Sequence, residues 1–329
     1  MTLPRLGAAG LAAGALATLV VASVAVGSVV LPFGAVIDAL SGARSSEAHL
    51  IVADLRVPRT IAGLVAGTCL AVSGVLLQGA TRNPLASPAL LGISAGGAFA
   101  VVLGVALLEQ PPAMAVWMAF LGGGGAAALT AALAGSGRDG LSPVRLALSG
   151  AIVSALLAAW TSALLAVHQR TADEVRHWLA GSLAGRDAAG VAPLLPVVGV
   201  ALAVAWLLAR PMDALALGDE TAVGLGQRPG RIRLVAWTVA VLLAAVAVAL
   251  AGPIAFVGLA VPHLARRLVG SDHRPVLVLS ALLGPALLLG ADVIGRIVAP
   301  PTEVQAGVLT ALLGAPVLVR LAVRVRMAS

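Results

Sequence analysis

Between Arg233 and Arg266 the chain runs through 32 residues without a single Asp, Glu, Lys or Arg. As one helix rising ~1.5 Å per residue this stretch would be about 48 Å long, well beyond the ~30 Å hydrocarbon core of a bilayer. It therefore has to break, and Gly252-Pro253 offers the place, because proline removes a backbone donor and its ring clashes with the preceding turn. No soluble domain has use for such a run. Apolar residues make up 60% of the 329 and charged residues 11%, against roughly 45–50% and about 25% in ordinary globular domains. The excess must face lipid, and the chain reads as an all-α integral membrane protein.

Eight further apolar runs carry the same signal: Gly7 to Val30, Val57 to Ala80, Leu90 to Leu108, Ala113 to Ala134, Pro143 to Val167, Val191 to Ala209, Val276 to Ala299 and Val304 to Val323. The first is longer than the ~7–15 apolar residues of a signal peptide, so it reads as a retained span. With the broken 234–265 stretch counted as two, the expected total is ten transmembrane helices. Arg5 stands at one end and Arg320, Arg324 and Arg326 at the other. The positive-inside rule then places both termini in the cytoplasm, which requires an even number of spans. Seven arginines fall on the outer face in this topology, namely Arg44, Arg56, Arg59, Arg170, Arg176, Arg186 and Arg296, and topology gives no reason for them.

All basic residues apart from His are Arg, since the chain contains no Lys. A P-loop needs its lysine against the nucleotide phosphates, and Schiff-base chemistry needs an amine, so neither belongs to this chain. A lone cysteine, Cys69, cannot build an intrachain disulfide or a cysteine-ligated metal site. The net charge of +7 is assigned to arginine beside anionic lipid rather than to nucleic acid. Apart from Asp292 and His263, no Asp, Glu or His stands within the spans at positions where a proton-coupled carrier would use one.

Two loops exceed what connection requires. The expected outer-surface loop, 168–190, contains Thr171 to Leu179, with Asp173 and Glu174 read as first-turn residues of an amphipathic helix. The inner loop, 210–233, contains Leu217, Gly218, Asp219 and Glu220, with Asp219 read as the cap of a short helix ending at Gly226. Asn83-Pro84 and Ser87-Pro88 initiate a rigid turn after the second span. Gly63/Gly67, Gly92/Gly96 and Gly181/Gly185 are small-xxx-small spacings that favour ordinary close helix packing. Asp292 and Arg296 stand i,i+4 and can pair on one helix face. His263, following Pro262, is the only histidine within a span and could titrate or bind a ligand, although no carboxylate lies near it in sequence.

Several of these segments resemble the FecCD family of ABC importer permeases, which includes vitamin B12, haem and ferric siderophore permeases. The resemblance is carried by Asp54-Leu-Arg56-Val-Pro58-Arg59-Thr60, Gly74 to Gln78, Arg82-Asn83-Pro84-Leu85-Ala86 and Leu91-Gly92-Ile93-Ser94. It continues, in the same order, through Arg210 to Glu220, Gly252 to His263, Asp272-His273-Arg274 and Gly307 to Pro316. It implies a single permease domain over 1–329 with the type II ABC importer fold, an inverted repeat, ten helices and both ends inside.

By the same resemblance, Leu217, Gly218, Asp219 and Glu220 form the coupling helix that docks on an ATPase. Asn83 and Leu85, with Ser142, Pro143 and Val144, form a cytoplasmic gate, in which Pro143 and Val144 replace more polar residues associated with the B12 permease. Arg56, Arg59 and Arg296 form an outer patch that receives carboxylates of a substrate-binding protein. The implied partners are a second permease subunit, the same or paralogous, two ATP-binding subunits and an extracytoplasmic binding protein. The chain itself is expected to be no enzyme and to hold no metal or cofactor, with ATP and Mg on the partner ATPase. The expected cargo is a ferric siderophore, with haem and vitamin B12 as alternatives. A stand-alone secondary transporter is a more distant one. The expected location is the bacterial cytoplasmic membrane.

Overall fold

The computed structural model describes residues 5–27, 34, 49–108, 114–135, 143–299 and 302–316, and among these there is no strand. The terminal arginines Arg320, Arg324 and Arg326 and the gate residue Ser142 lie outside the described residues. Helix α1 is Arg5–Ala25; a wide π-type turn, Leu50–Arg56, leads into α2, Val57–Thr81, which has Pro58 in its first turn. Then come α3, Ile93–Leu107; α4, Ala115–Gly135; α5, Pro143–Val167; α6, Gln169–Leu179; α7, Leu195–Ala216; and α8, Asp219–Gly224. The last four are α9, Pro229–Ala251; α10, Val257–Val269; α11, His273–Val298; and α12, Ala306–Pro316.

Among the described residues, seven helical segments are long and apolar enough to cross a membrane, where the sequence predicts ten spans. The difference lies in α3 and α10, 15 and 13 residues long, and in α12. Helices α3 and α10 fall short of the ~20 residues that cross a hydrocarbon core unaided, and α12 is described only as far as Pro316. The break expected at Gly252-Pro253 is present: α9 stops at Ala251, Gly252 has φ +72°, and α10 starts only after Phe256, itself left-handed at φ +68°.

Helix α2 is the centre of the molecule. Every residue from Cys69 to Gln78 is buried, as expected of a helix apolar all round that sits inside a larger bundle. It packs against α7, α9, α10 and α11. Two glycines permit the closest approaches: a Cβ at Gly67 would overlap the backbone at Gly284-Pro285 on α11, and one at Gly74 would overlap the carbonyl of Gly258 on α10. Polar bonds cross the same seams. Ser73 donates to the Ala240 carbonyl at 2.7 Å, and the Gln78 amide donates to the carbonyls of Gly258 and Leu259 at 3.3 Å each. Of the three small-xxx-small spacings, the Gly67 and Gly96 sites are close helix approaches. Gly181, at φ +76°, is a turn residue against Pro253 and Gly307.

Two boundaries differ from the sequence reading. Helix α7 continues through Pro211 to Ala216, so the inner connector begins at Leu217 rather than Arg210. Pro211 still fits, since a span can re-satisfy one missing backbone donor locally. Helix α6 starts at Gln169, which puts Asp173 and Glu174 in its second turn, while Thr171, Val175 and Trp178 form its buried face at helical spacing.

Candidate functional site

The expected outer arginines do come together, but they face inward. Helix α1 ends without a basic residue of its own, leaving its last carbonyls without intrahelical donors. Arg56 donates to the carbonyls of Val24 and Ala25 at 3.0 and 2.7 Å, and Arg296 to those of Ser23 and Val26 at 2.7 and 3.0 Å. Two guanidinium groups from other elements thus cap α1, with the charge sign favoured at a helix C-terminus. Gly27 makes room, since a Cβ there would overlap the Arg56 guanidinium.

Arg296 pairs with Asp292 as the i,i+4 spacing predicts, and both side chains are about 1% exposed. Arg59 donates to Asp292 from Nε and Nη2 and to Glu303 from Nη1 at 2.8 Å. Only Arg59 and Glu303, at 13% and 27% side-chain exposure, reach the surface from this cluster. Glu303 carries no local pattern that marks it, because its partner is 244 residues away in sequence.

A second ion network lies at the opposite end of α2. Asp219 does not cap α8; Gly218 does, with φ +116° and no side-chain bond. The Asp219 carboxylate turns instead to Arg233, which grips both its oxygens at 2.8 Å, and to Arg82 at the left-handed end of α2. Arg233 also donates to the Ala80 carbonyl at 3.3 Å. The short helix is thereby tied to α2 and α9 together.

Gly226 closes α8 as the sequence expects, with φ +76° and the paired bonds Gln227 N–H to Ala222 O and Gly226 N–H to Val223 O. These are the two bonds of a Schellman motif. With Asp219 tied to Arg82 and Arg233, α8 and the residues that flank it present Leu217, Val223 and Leu225 to solvent at 59–67% exposure, and Glu220 is exposed beside them.

Hydrogen bonding from Arg233, and the positive charge of Arg233 and Arg82, hold the Asp219 carboxyl below its ordinary range. A depressed carboxyl contributes in its ionised form, so this contribution is complete above the usual carboxylate pKa of about 4. It is lost only as pH falls through the lower folded value. The tether should therefore be indifferent to pH from about 8 to 5, measured as the yield of a cysteine cross-link between α8 and the end of α2, and should weaken only in stronger acid.

The turn Asn83–Leu85 is rigid, as expected, because the Asn83 side chain accepts from Leu85 N–H at 2.9 Å and its carbonyl accepts from Ala86 N–H. It shares a small cavity with Leu146 and Ala147 near the start of α5, where Pro143 is the first helical residue and Val144 is 76% exposed. His263 lies half-buried on α10, one turn before Arg266. Two further contacts escape sequence reasoning. Arg266 donates to Gln78 Oε1, and Asp213 Oδ1 accepts the backbone N–H of His273 at 2.9 Å while the His273 Nδ1 lies 2.6 Å from it.

Comparison with known proteins gives this geometry a setting. Residues 15–324 match the model of the FecCD transport family. The ferric enterobactin transport system permease protein FepD of Escherichia coli is 44% identical over 298 residues, which cover 90% of this chain and 89% of that one. The Probable siderophore transport system permease protein YfiZ of Bacillus subtilis is 40% identical over 310 residues, 94% of this chain and 93% of its own. Among solved structures, an inward-facing conformation of a metal-chelate type ABC transporter superposes with a TM-score of 0.81 at 28% identity, covering 96% of this chain and 98% of that one. A multi-pass helical chain, matched along nearly its whole length and bearing a tethered helix between α7 and α9, belongs to the FecCD transport family of permeases.

Proposed function

We propose that the chain is the membrane-spanning subunit of an ATP-driven importer for a ferric siderophore in the bacterial cytoplasmic membrane. It works beside a second permease subunit, same or paralogous, two ATPase subunits that bind ATP and Mg, and an extracytoplasmic binding protein. The seven long helices, the short α3 and α10, and α12 together make the ten crossings of this reading, with both ends in the cytoplasm. The printed names of FepD and YfiZ support the cargo class, and the metal-chelate transporter supports the assembly.

The observation that carries the proposal is α8. Its carboxylate is spent on Arg82 and Arg233, while its large apolar side chains Leu217, Val223 and Leu225 are turned outward at the end of the bundle. An exposed apolar cluster on an otherwise well-tied helix marks a surface awaiting a partner, here the groove of an ATPase. Movement of α8 would reach the gate turn at Asn83 to Leu85 through Arg82, and Pro143 and Val144 across from it. On the outer side, Arg56 and Arg296 hold the platform, and Arg59 with Glu303 offers the accessible charge on which the binding protein settles.

The test is a triple replacement, Leu217→Asp, Val223→Asp and Leu225→Asp, read by co-purification with the ATPase subunit and by ATP-driven uptake of ferric siderophore into proteoliposomes. Uptake should fall by about tenfold or more, since removing apolar anchors from an interface core commonly costs about 2 kcal/mol or more, while detergent monodispersity is kept. Undiminished ATPase association would make α8 a mere connector.

A further inference from the structure

A groove of about 810 Å3 runs between α4 and α9 from the level of the α8 tether into the membrane-spanning region. Its mouth is formed by Arg82 and Arg233, and its shaft by small residues of α4, among them Gly124, Ala128 and Ala131, facing Trp237 and Val241 of α9. The shaft is open: a Cβ added at Gly124 would meet nothing within 4 Å. Along α9 the lining extends from Gly230 to Leu242, about 18 Å at ~1.5 Å per residue. One leaflet of a ~30 Å hydrocarbon core is about 15 Å deep, so the groove has the reach of a single acyl chain.

The mouth has the matching charge. Arg82 and Arg233 share one carboxylate, Asp219, and their side chains remain 38% and 36% exposed. Arg228 and Arg231 are exposed on the same end of α9. Two guanidinium groups against one carboxylate leave an unneutralised positive charge at headgroup depth, and guanidinium binds phosphate oxygens in a two-pronged manner. A soluble anion would satisfy the mouth and leave the shaft empty; a neutral lipid would fill the shaft and leave the charge unanswered.

We propose that this groove is a binding site for an anionic phospholipid of the cytoplasmic leaflet, with its phosphate on Arg82 and Arg233 and one acyl chain between α4 and α9. Because the same two arginines hold Asp219, an occupied site fixes α8 by adding a second anion to the network. The coupling helix is then braced by lipid as well as by protein. The assignment to the cytoplasmic leaflet rests on the orientation proposed above, whereas the site itself does not.

The test uses the full-length permease purified with its ATPase subunit, exchanged into phosphatidylcholine nanodiscs and titrated with phosphatidylglycerol. Lipid retained on the permease is read by native mass spectrometry and ATPase association by co-elution. Wild type should retain one phosphatidylglycerol per permease chain with a preference over phosphatidylcholine of about tenfold or more, from two arginines at the membrane surface. Gly124→Leu with Ala128→Leu should fill the shaft and abolish the retention while ATPase association persists. Thr238→Trp, a replacement of an exposed α9 residue that lines the same groove, gives the same loss without altering α4, should the double variant fail to fold. Arg82→Gln with Arg233→Gln should remove the headgroup preference. Equal retention of both lipids, full retention in a correctly folded shaft-filled variant, or displacement by soluble glycerol phosphate as effective as by lipid would overturn the proposal. Retained lipid with no ATPase association would leave the site standing and sink the coupling reading instead.

Discussion

Asp292→Asn should leave the protein barely able to reach its folded form. The carboxylate is about 1% exposed, pairs with Arg296, and accepts from Arg59 through both Nε and Nη2. Neutralising it removes the carboxylate that Arg59 and Arg296 share, with Arg296 fully inside. Breaking a buried pair by removing one partner costs about 3–5 kcal/mol, because the remaining charge stays desolvated. In a protein whose total margin is about 5–15 kcal/mol, that cost should appear as a large loss of monodisperse material and a clearly lower unfolding temperature by tryptophan fluorescence. The double change Asp292→Leu with Arg296→Met should recover part of the loss, since replacing both partners of a buried pair with apolar residues is often near neutral. Recovery stays incomplete because Arg296 also serves the carbonyls of Ser23 and Val26. An unfolding temperature for Asp292→Asn equal to that of wild type would show that the cluster contributes nothing to folding.

Gly74→Val should be comparably severe by a different route. The added carbons would overlap the Gly258 carbonyl, a backbone atom of α10 that cannot rotate away. Overpacking a close-packed seam costs typically about 1–3 kcal/mol, and more where backbone must move. Helix α10 should shift away from α2, taking with it the Gln78 bonds to Gly258 and Leu259 and, through Gln78, the contact from Arg266. Cross-linking between cysteines placed on α2 and α10, in a background with the buried Cys69 replaced, should lose yield, and uptake should fall with it. Gly10→Ala on α1 is the control. Its Cβ would meet nothing within 4 Å, and alanine gains up to about 1 kcal/mol over glycine in a helix interior.

Hydropathy carries most of this architecture because it is a local property. The apolar runs, the break at Gly252-Pro253 and the short helix closed by Gly226 all depend on residues within a few positions of one another. The alternation of charge along the chain does not reveal partners across it. Asp219 reads as a cap since capping is the nearest use for an acidic residue before a helix, yet Arg233 and Arg82, 14 and 137 residues away, outcompete the backbone donors. The outer arginines read as a surface because they run against the inside bias. Their inward turn follows from α1, whose carbonyls need donors and whose sequence supplies none. Pro211 reads as a boundary because proline ends helices in water, whereas α7 carries it through to Ala216.

The enclosure of α2 from Cys69 to Gln78 has a consequence for biosynthesis. Helices α9, α10 and α11, which cover it, are not synthesised until the ribosome has passed residue 229. Until then α2 has only lipid and its early neighbours around it. It can wait there because its polar side chains between Cys69 and Gln78 are Ser73 and Gln78 alone, a load that bilayer-embedded helices tolerate before they associate. Once enclosed, its amides should be among the slowest to exchange with deuterium, opening only with sub-global unfolding of the bundle. Helix α1, largely lipid-facing and tied mainly at its two ends, should exchange its outermost turns first.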